Sequence, residues 1–496
     1  MGIDRALIGL ALALAAVPAT AAVAAPAATE AAQPRIFRSE GQGSFGGVRL
    51  RYAAAVEEFL LPGASVFVTS YVRSDAKDAA RPVIFAFNGG PGSASIWLHM
   101  GLMGPRRADF DDPTAPRTVP PFTTVANPDS PLDVADIVLI DPPGTGYSRI
   151  LPSGKAEQFY GTQQDAQAMV DVVQQWLRRH GRLNAPKYLL SESYGTIRAA
   201  VMAKLMAGGP TQTGGMDGVT LNGVILLGQA LDMGRGTEGD DRPYLGILPS
   251  LAATACHFHK VAAGCTADGQ ADAARRFIEN SYLPALYAGS RLPADRKAAI
   301  ANEMAALIGI PAKDVLASDL RVSGTAFAKL LLADRGQRIG MYDARYTLPS
   351  QGAGGDPVAD DPAMGQYVPG FVGAWNDYAV KTLQVDLDIP YEPIAFRTVN
   401  GPWDYGFGAG VPMGRNFAVD LAAAMSRNPA MRLMVGTGYY DLVTPLGTAD
   451  YTLTHAGVPL AQTSFHAYPS GHMPYLGAEA RTALIRDIRA FVGDSK

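Results

Sequence analysis

Cysteine is almost missing: Cys256 and Cys265 are the two in 496 residues. They leave room for one disulfide at most, and their spacing matches no standard zinc pattern. Long apolar runs are missing as well. Beyond the first residues, no segment approaches the ~18 consecutive apolar residues of a membrane-crossing helix. Charge of one sign is missing: Lys and Arg total 42 against 46 Asp and Glu, a formal net charge of -4, with no basic tract. That leaves no electrostatic footprint for nucleic acid. No G-x-x-x-x-G-K-[ST] loop occurs, and the G-T-G at Gly144 to Gly146 precedes no helical pattern, so phosphate binding is disfavoured. There are no internal repeats.

What is present is ordinary globular composition, 48% hydrophobic and 18% charged. The first residues, MGIDRALIGLALALAAVPATAAVAAPAA, carry Arg5, an apolar stretch from Ala6 to Val17, and the A-x-A pattern Ala22-Val23-Ala24. This reads as a secretory signal peptide over residues 1–24, because the apolar run is too short to span a bilayer. Secretion or a periplasmic location follows, with no membrane attachment after cleavage. An oxidising compartment favours a Cys256–Cys265 disulfide. His257 and His259 between the cysteines offer metal binding as the alternative, without a second ligand cluster in support.

Short apolar runs bounded by glycine and proline follow the leader. ASVFVTSYVRS (Ala64–Ser74), PVIFAFN (Pro82–Asn88) and VADIVLID (Val134–Asp141) read as strands. DAQAMVDVVQQWLRRH reads as an amphipathic helix through Ala166, Met169, Val170, Val173, Trp176 and Leu177. Lys187–Ser191 and Asn222–Gly228 read as further strands, with helix from Tyr194. Strand–helix alternation of this kind predicts an α/β fold with a mostly parallel sheet flanked by helices. The alternation stops between Gly234 and Asn400, where helical and irregular segments predict an inserted, largely helical cap. Strand signals resume at Met431–Val435 and Ser464–Tyr468, before a last amphipathic helix. The expected organisation is core over 36–233, cap over 234–400 and core over 401–496.

In LLSESYGTIRAA, a strand stops, turns at Ser193 and becomes a helix. This is close to the G-x-S-x-G nucleophile elbow, with Ser191 in place of the first glycine. A serine nucleophile needs a base, and the base an orienting acid. In hydrolases of this fold they arrive in the order Ser, acid, His. GTGYYDLVTP puts Asp441 just past one strand, and YPSGHMPY puts His472 just past the next. Of seven histidines, His180 ends a helix, His257 and His259 fall in the insertion, His455 in a connection and His466 in a strand. His99 follows a glycine loop and could line the site, though packing fits its setting better. His472 alone has the right order and setting. The loop FNGGPGSASIW offers backbone N–H groups at Gly89, Gly90 and Gly92 for an oxyanion, with the N–H of Tyr194 as the second donor.

Four blocks, FNGGPGSAS, NPDSPLDVADIVLIDPPGTGYS, SESYG, and GYYDLVTP with GHMPY, resemble the serine carboxypeptidase family in order and spacing, from about Asn88 to Tyr475. The resemblance implies a secreted bacterial member with an α/β-hydrolase fold and a helical cap, acting on peptide C-termini without cofactor or metal. It implies Ser193 as nucleophile, His472 as base and Asp441 as orienting acid. It also implies Gly90 and Tyr194 as oxyanion donors, and Asn88 and Glu192 as ligands of the substrate's C-terminal carboxylate. Two carboxylates meeting there cannot both stay charged cheaply, so one should hold a proton. The chain departs from the family at Ser93, where many members have cysteine, at Thr196, where glycine is common, and at Leu102, where many have a glutamate that assists carboxylate recognition. A serine esterase or acyltransferase is the alternative within the fold, and a non-catalytic binding protein the alternative outside enzymes.

Overall fold

A computed structural model describes residues 33–493 except 77, 111–113, 210, 212–217, 235, 237 and 353. The expected signal peptide, residues 1–24, lies outside the described residues. From Arg35 onward the described chain forms one unit, built on a sheet of ten strands. In chain order these are β1 (Ile36–Phe45), β2 (Val48–Leu61), β3 (Ala64–Arg73), β4 (Val83–Phe87), β5 (Asp136–Ile140), β6 (Arg149–Ile150), β7 (Lys187–Glu192), β8 (Gly223–Leu227), β9 (Arg432–Gly438) and β10 (Thr463–Tyr468). The spatial order is β1-β2-β3-β5-β4-β7-β8-β9-β10, with β6 paired to β3. From β5 to β10 every neighbour is parallel, whereas β1, β2 and β3 form an antiparallel edge.

Apart from the half-exposed edge strand β10, the parallel strands are short and buried on both faces, which is why they read as apolar runs instead of alternating ones. Val83, Phe85 and Phe87 of β4 enter one core, with Trp176, Met169 and Val173. Ile84 and Ala86 enter the opposite core, with Tyr188, Leu190 and Ile225. The flanking helices are α1 (Thr162–Arg179), α2 (Gly195–Met206), α3 (Arg242–His257), α4 (Ala267–Phe277), α5 (Ala294–Ile308), α6 (Pro362–Lys381), α7 (Ala418–Arg427), α8 (Leu446–Thr454) and α9 (Ala478–Gly493). β8 and β9 pair in register from Gly223 opposite Arg432, so the long segment between them enters and leaves at adjacent strands. Its helices α3, α4 and α5 build a third apolar cluster. α6 of the same segment instead sends Tyr367, Phe371 and Trp375 into the sheet-face core shared with α9. Cys256, at the end of α3, is disulfide-bonded to Cys265 with Cα atoms 5.9 Å apart, so neither thiolate is free to bind a metal. Among the described residues no helix is long and apolar enough to cross a membrane.

At the N-terminal end of β5, away from the elbow, Asp136 is a buried acid between two arginines. Its Oδ1 accepts from Arg73 N at 3.0 Å and Arg81 Nε at 2.9 Å, and its Oδ2 accepts from Arg182. Both guanidinium groups are themselves nearly buried. Removing one partner of such a set strands the other charges out of water. Asp136→Ala is therefore expected to lower unfolding stability by about 3–5 kcal/mol, measured by chemical denaturation, with little change in the rate per folded molecule.

Candidate active site

β7 ends at Glu192, and the next residue, Ser193, turns the chain with φ of 59°. An L-residue in this left-handed region costs on the order of 1–3 kcal/mol and persists only where its surroundings fix it. Here the Ser193 N–H donates to Leu227 O of the neighbouring strand at 3.0 Å, and the Ser193 carbonyl accepts from Thr196 N and from Thr196 Oγ1 at 2.9 and 2.7 Å. Thr196 Oγ1 also accepts from Ala230 N at 2.9 Å. The threonine that departs from the family pattern thus ties the elbow to the loop after β8. Ser191, the other departure, is fully buried where strand and helix pass close together.

β4 lies beside β7, with Phe87 opposite Ser191, so the loop Asn88–Gly92 lands on the elbow. A Cβ at Gly89 would stand 2.4 Å from Tyr194 N, so glycine is required for the loop to approach this closely. The N–H groups of Gly90 and Tyr194 donate to no described residue, which leaves both available for an incoming oxygen. Behind them, Arg198 is fully buried in an otherwise apolar helix face. Its Nε donates to Asp165 Oδ2 at 2.7 Å and its Nη1 to Asn88 O at 2.6 Å. One guanidinium thereby joins α2, α1 and the glycine loop. Sequence reading missed Arg198; its only signal was a charge inside an alanine-rich helix.

Asp441 follows β9 and is fully buried. Its Oδ1 accepts from Val443 N and Thr444 N at 2.8 and 2.9 Å. Its Oδ2 accepts from Thr444 Oγ1 and, at 2.9 Å, from His472 Nδ1. Committing Nδ1–H to Asp441 leaves Nε2 as the acceptor of the neutral ring. Burial works to lower the His472 pKa, but the charge and hydrogen bond of Asp441, with Glu192 and Asp361 beyond, outweigh it and leave the ring raised. The His472 loop is held from the inserted segment. Tyr342 O accepts from His472 N at 2.6 Å, and Asp343 Oδ2 accepts from Gly471 N at 3.1 Å. Asp343 is paired with Arg345 at 2.6 Å, and Arg345 reaches Pro469 O at 2.8 Å.

Ser193, His472, Asn88, Gly89, Gly90 and Glu192 line one cavity. Asn88 Nδ2 donates to Glu192 Oε1 at 2.9 Å, while Asn88 Oδ1 accepts from Leu98 N at 3.0 Å, which fixes the amide. Burial pushes the Glu192 carboxyl up to about 7, against the opposing pull of His472, Tyr475 and Asn88; Asp441 pushes the same way as burial. The remaining cavity wall is apolar: Trp97, Met364, Tyr367, Ile394, Phe396 and Met473. Ser93 receives the Trp97 indole N–H at 2.7 Å, so it braces that wall. Leu102 is fully buried in the core and does not line the cavity. His99 packs, as its setting suggested: its Nε2 lies 2.7 Å from Tyr71 Oη, its ring lies against Trp375, and burial holds it at about 3. His180 pairs with Glu57 at 2.8 Å at the end of α1.

Residues 65–233 match the family model of the serine carboxypeptidases. No curated protein matches the chain in sequence. Among solved structures, the chain is similar to the prohormone-processing carboxypeptidase of Saccharomyces cerevisiae, with 14% identity and a TM-score of 0.54, over 92% of this chain and 91% of that one. That likeness shows a shared fold. Weaker likenesses are to a proline iminopeptidase of Mycobacterium smegmatis, with 15% identity and a TM-score of 0.37 over 89% of this chain and 98% of that one, and to a monoglyceride lipase variant of Saccharomyces cerevisiae, with 10% identity and a TM-score of 0.39 over 89% and 95%. The stretch matched by the serine carboxypeptidase family model holds β4, β5, β7, β8 and the elbow at Ser193.

Proposed function

We propose that the protein is a serine-type carboxypeptidase that releases C-terminal residues from peptides through an acyl-enzyme on Ser193. The observation that carries this reading is the buried Glu192 carboxyl, held by Asn88 in the same cavity as Ser193 and His472. A carboxyl near neutrality can lend its proton to a substrate carboxylate, which an ordinary ionised Glu would repel. Ser193 Oγ attacks the last peptide carbonyl as His472 Nε2 takes its proton, and Asp441 stabilises the imidazolium that forms. The N–H groups of Gly90 and Tyr194 receive the oxyanion. His472 then protonates the leaving amine, and water releases the acyl group by the reverse exchange. The Cys256–Cys265 disulfide fits an oxidising compartment, in keeping with a secreted or periplasmic enzyme. The apolar wall of Trp97, Met364, Tyr367, Ile394, Phe396 and Met473 beside Asn88 and Glu192 fits a large apolar side chain on the released residue.

Ser193→Ala is expected to lower kcat by on the order of 10⁴-fold or more, read by mass spectrometry of digested peptides. Unchanged hydrolysis would remove Ser193 as nucleophile. Free-acid peptides should exceed their amidated analogues in kcat/KM by roughly 10–100-fold, the worth of a charge-assisted hydrogen bond; equal rates would end the exopeptidase reading.

The pH dependence has a definite sign. Glu192 gives up its proton as pH rises through about 7, so kcat/KM for free-acid peptides should fall there. Amidated or ester substrates should keep only the acid limb set by His472, and Glu192→Gln should abolish the alkaline limb. Peptides ending in Phe, Leu or Met should lose that residue at least ~10-fold faster than those ending in Lys or Asp, scored by amino-acid release from a peptide set.

A further inference from the structure

Beside the triad, two buried polar atoms lack a completed hydrogen bond: Glu192 Oε2 and the Tyr475 hydroxyl. Tyr475 lies three positions past His472 in the same loop, and its residue is 1% exposed. Its ring lies over Gly101, where a Cβ would stand 2.4 Å from ring atom Cε2. Any larger residue at 101 would displace the ring. The neighbour of that glycine is Leu102, which stands where related chains place the assisting glutamate. The second carboxyl is thus absent, and in the adjoining space a phenol enters next to the remaining one.

The groups facing this pair come from every surrounding element. Glu192 faces His472 and Asp441 from the two triad loops and Asn88 from the glycine loop, while Tyr475 faces Glu192, Asn88 and Tyr367 of α6. Burial first, and then Glu192, drives the phenol well above its ordinary value, so it stays a neutral donor at any working pH. Asn88 already occupies Glu192 Oε1, which leaves Oε2 for Tyr475.

We propose that Tyr475 is a positioning residue whose hydroxyl donates to Glu192 Oε2, so that two neutral donors, Asn88 and Tyr475, fix the carboxyl that meets the substrate's C-terminal carboxylate. This rests on the reading of Glu192 as the carboxylate-binding group. Both donors favour the ionised form of Glu192 and therefore oppose the rise that burial imposes. Without the phenolic hydroxyl, Glu192 holds its proton to higher pH.

The test is Tyr475→Phe, which keeps the ring over Gly101 and removes one oxygen. The alkaline limb of kcat/KM for a free-acid peptide should move up by about half to one pH unit, the equivalent of one neutral hydrogen bond. The ester substrate, which has no alkaline limb, should keep its acid limb in place. On a Glu192→Gln background, Tyr475→Phe should leave the pH profile unmoved. A free-acid limb that coincides with the parent's, or equal shifts for acid and ester, overturns the role. If the parent enzyme does not distinguish free-acid from amidated peptides, the Glu192 reading falls and the Tyr475 role with it; if it does distinguish them and the limb stays put, only the Tyr475 role falls.

Discussion

The strained backbone at Ser193 is the constraint on which the site is built. A φ of 59° is unfavourable for serine, and the chain holds it by engaging both of the residue's peptide groups. The N–H is tied to β8 and the carbonyl is tied to Thr196. β4 and β8 flank β7 in parallel register, so the loops leaving all three strands emerge at one edge. The glycine loop comes from one side and the Ala230 region from the other. Gly89 lets the first of these touch the elbow. Arg198 then locks the contact from beneath, because its guanidinium is shared between Asp165 of α1 and the carbonyl of Asn88. A fully buried ion pair is weak evidence of stability in itself. Its position, joining the helix after Ser193 to the glycine loop, argues that it serves geometry.

Three acids near the elbow are treated in three ways. Asp441 is buried but satisfied by two backbone N–H groups, a hydroxyl and His472. Asp165 is buried against Arg198. Glu192 is buried with one oxygen held by an amide and no cation in contact. Burial drives the Glu192 carboxyl up to about 7 with no bonded cation to oppose it, whereas the Asp165 carboxyl, also raised by burial, is opposed by the charge and hydrogen bond of Arg198. The inserted segment takes part in this arrangement. Tyr342 and Asp343 hold the His472 loop, and α6 supplies Met364 and Tyr367 to the cavity wall. Displacing that segment would disturb His472 as well as uncover the cavity.

The parallel core was legible because its central strands are short, apolar and bounded by turn residues, and the elbow and acid loops follow two of them, with the histidine loop after the half-exposed edge strand β10. β1 and β2 gave a weaker signal. They are long, antiparallel and half-exposed, and β1 carries Gly41 and Gly43 in its interior. Glu192 and Asn88 entered through family resemblance, since nothing local marks a buried carboxyl. Arg198 and Asp343 were not legible at all, while Thr196 showed only as a departure from the family pattern and Tyr475 only as part of GHMPY. Each acts through partners distant in sequence: Arg198 on Asn88, Asp343 on Gly471, and Tyr475 beside Glu192. Periodicity reports which face is buried; it does not report which buried polar atom meets another.

A cation would have been the stronger ligand for a substrate carboxylate. A buried carboxyl behaves differently because its role changes with its proton. On the proposed reading, neutral Glu192 donates to an anionic terminus. When ionised, it repels that terminus and can accept only from a donor such as a terminal amide. Discrimination between free and amidated ends then depends on protonation rather than on shape, and the groups that tune the proton become part of specificity. The exchange of a family glutamate for Leu102 fits this logic. A second buried carboxyl would compete with Glu192 for the one proton the site can hold cheaply, whereas a phenol beside Gly101 supplies a donor without adding charge. On the proposed reading the site thus keeps a single titrating acid between His472 and the substrate end, and the rest of the pocket is free to be apolar.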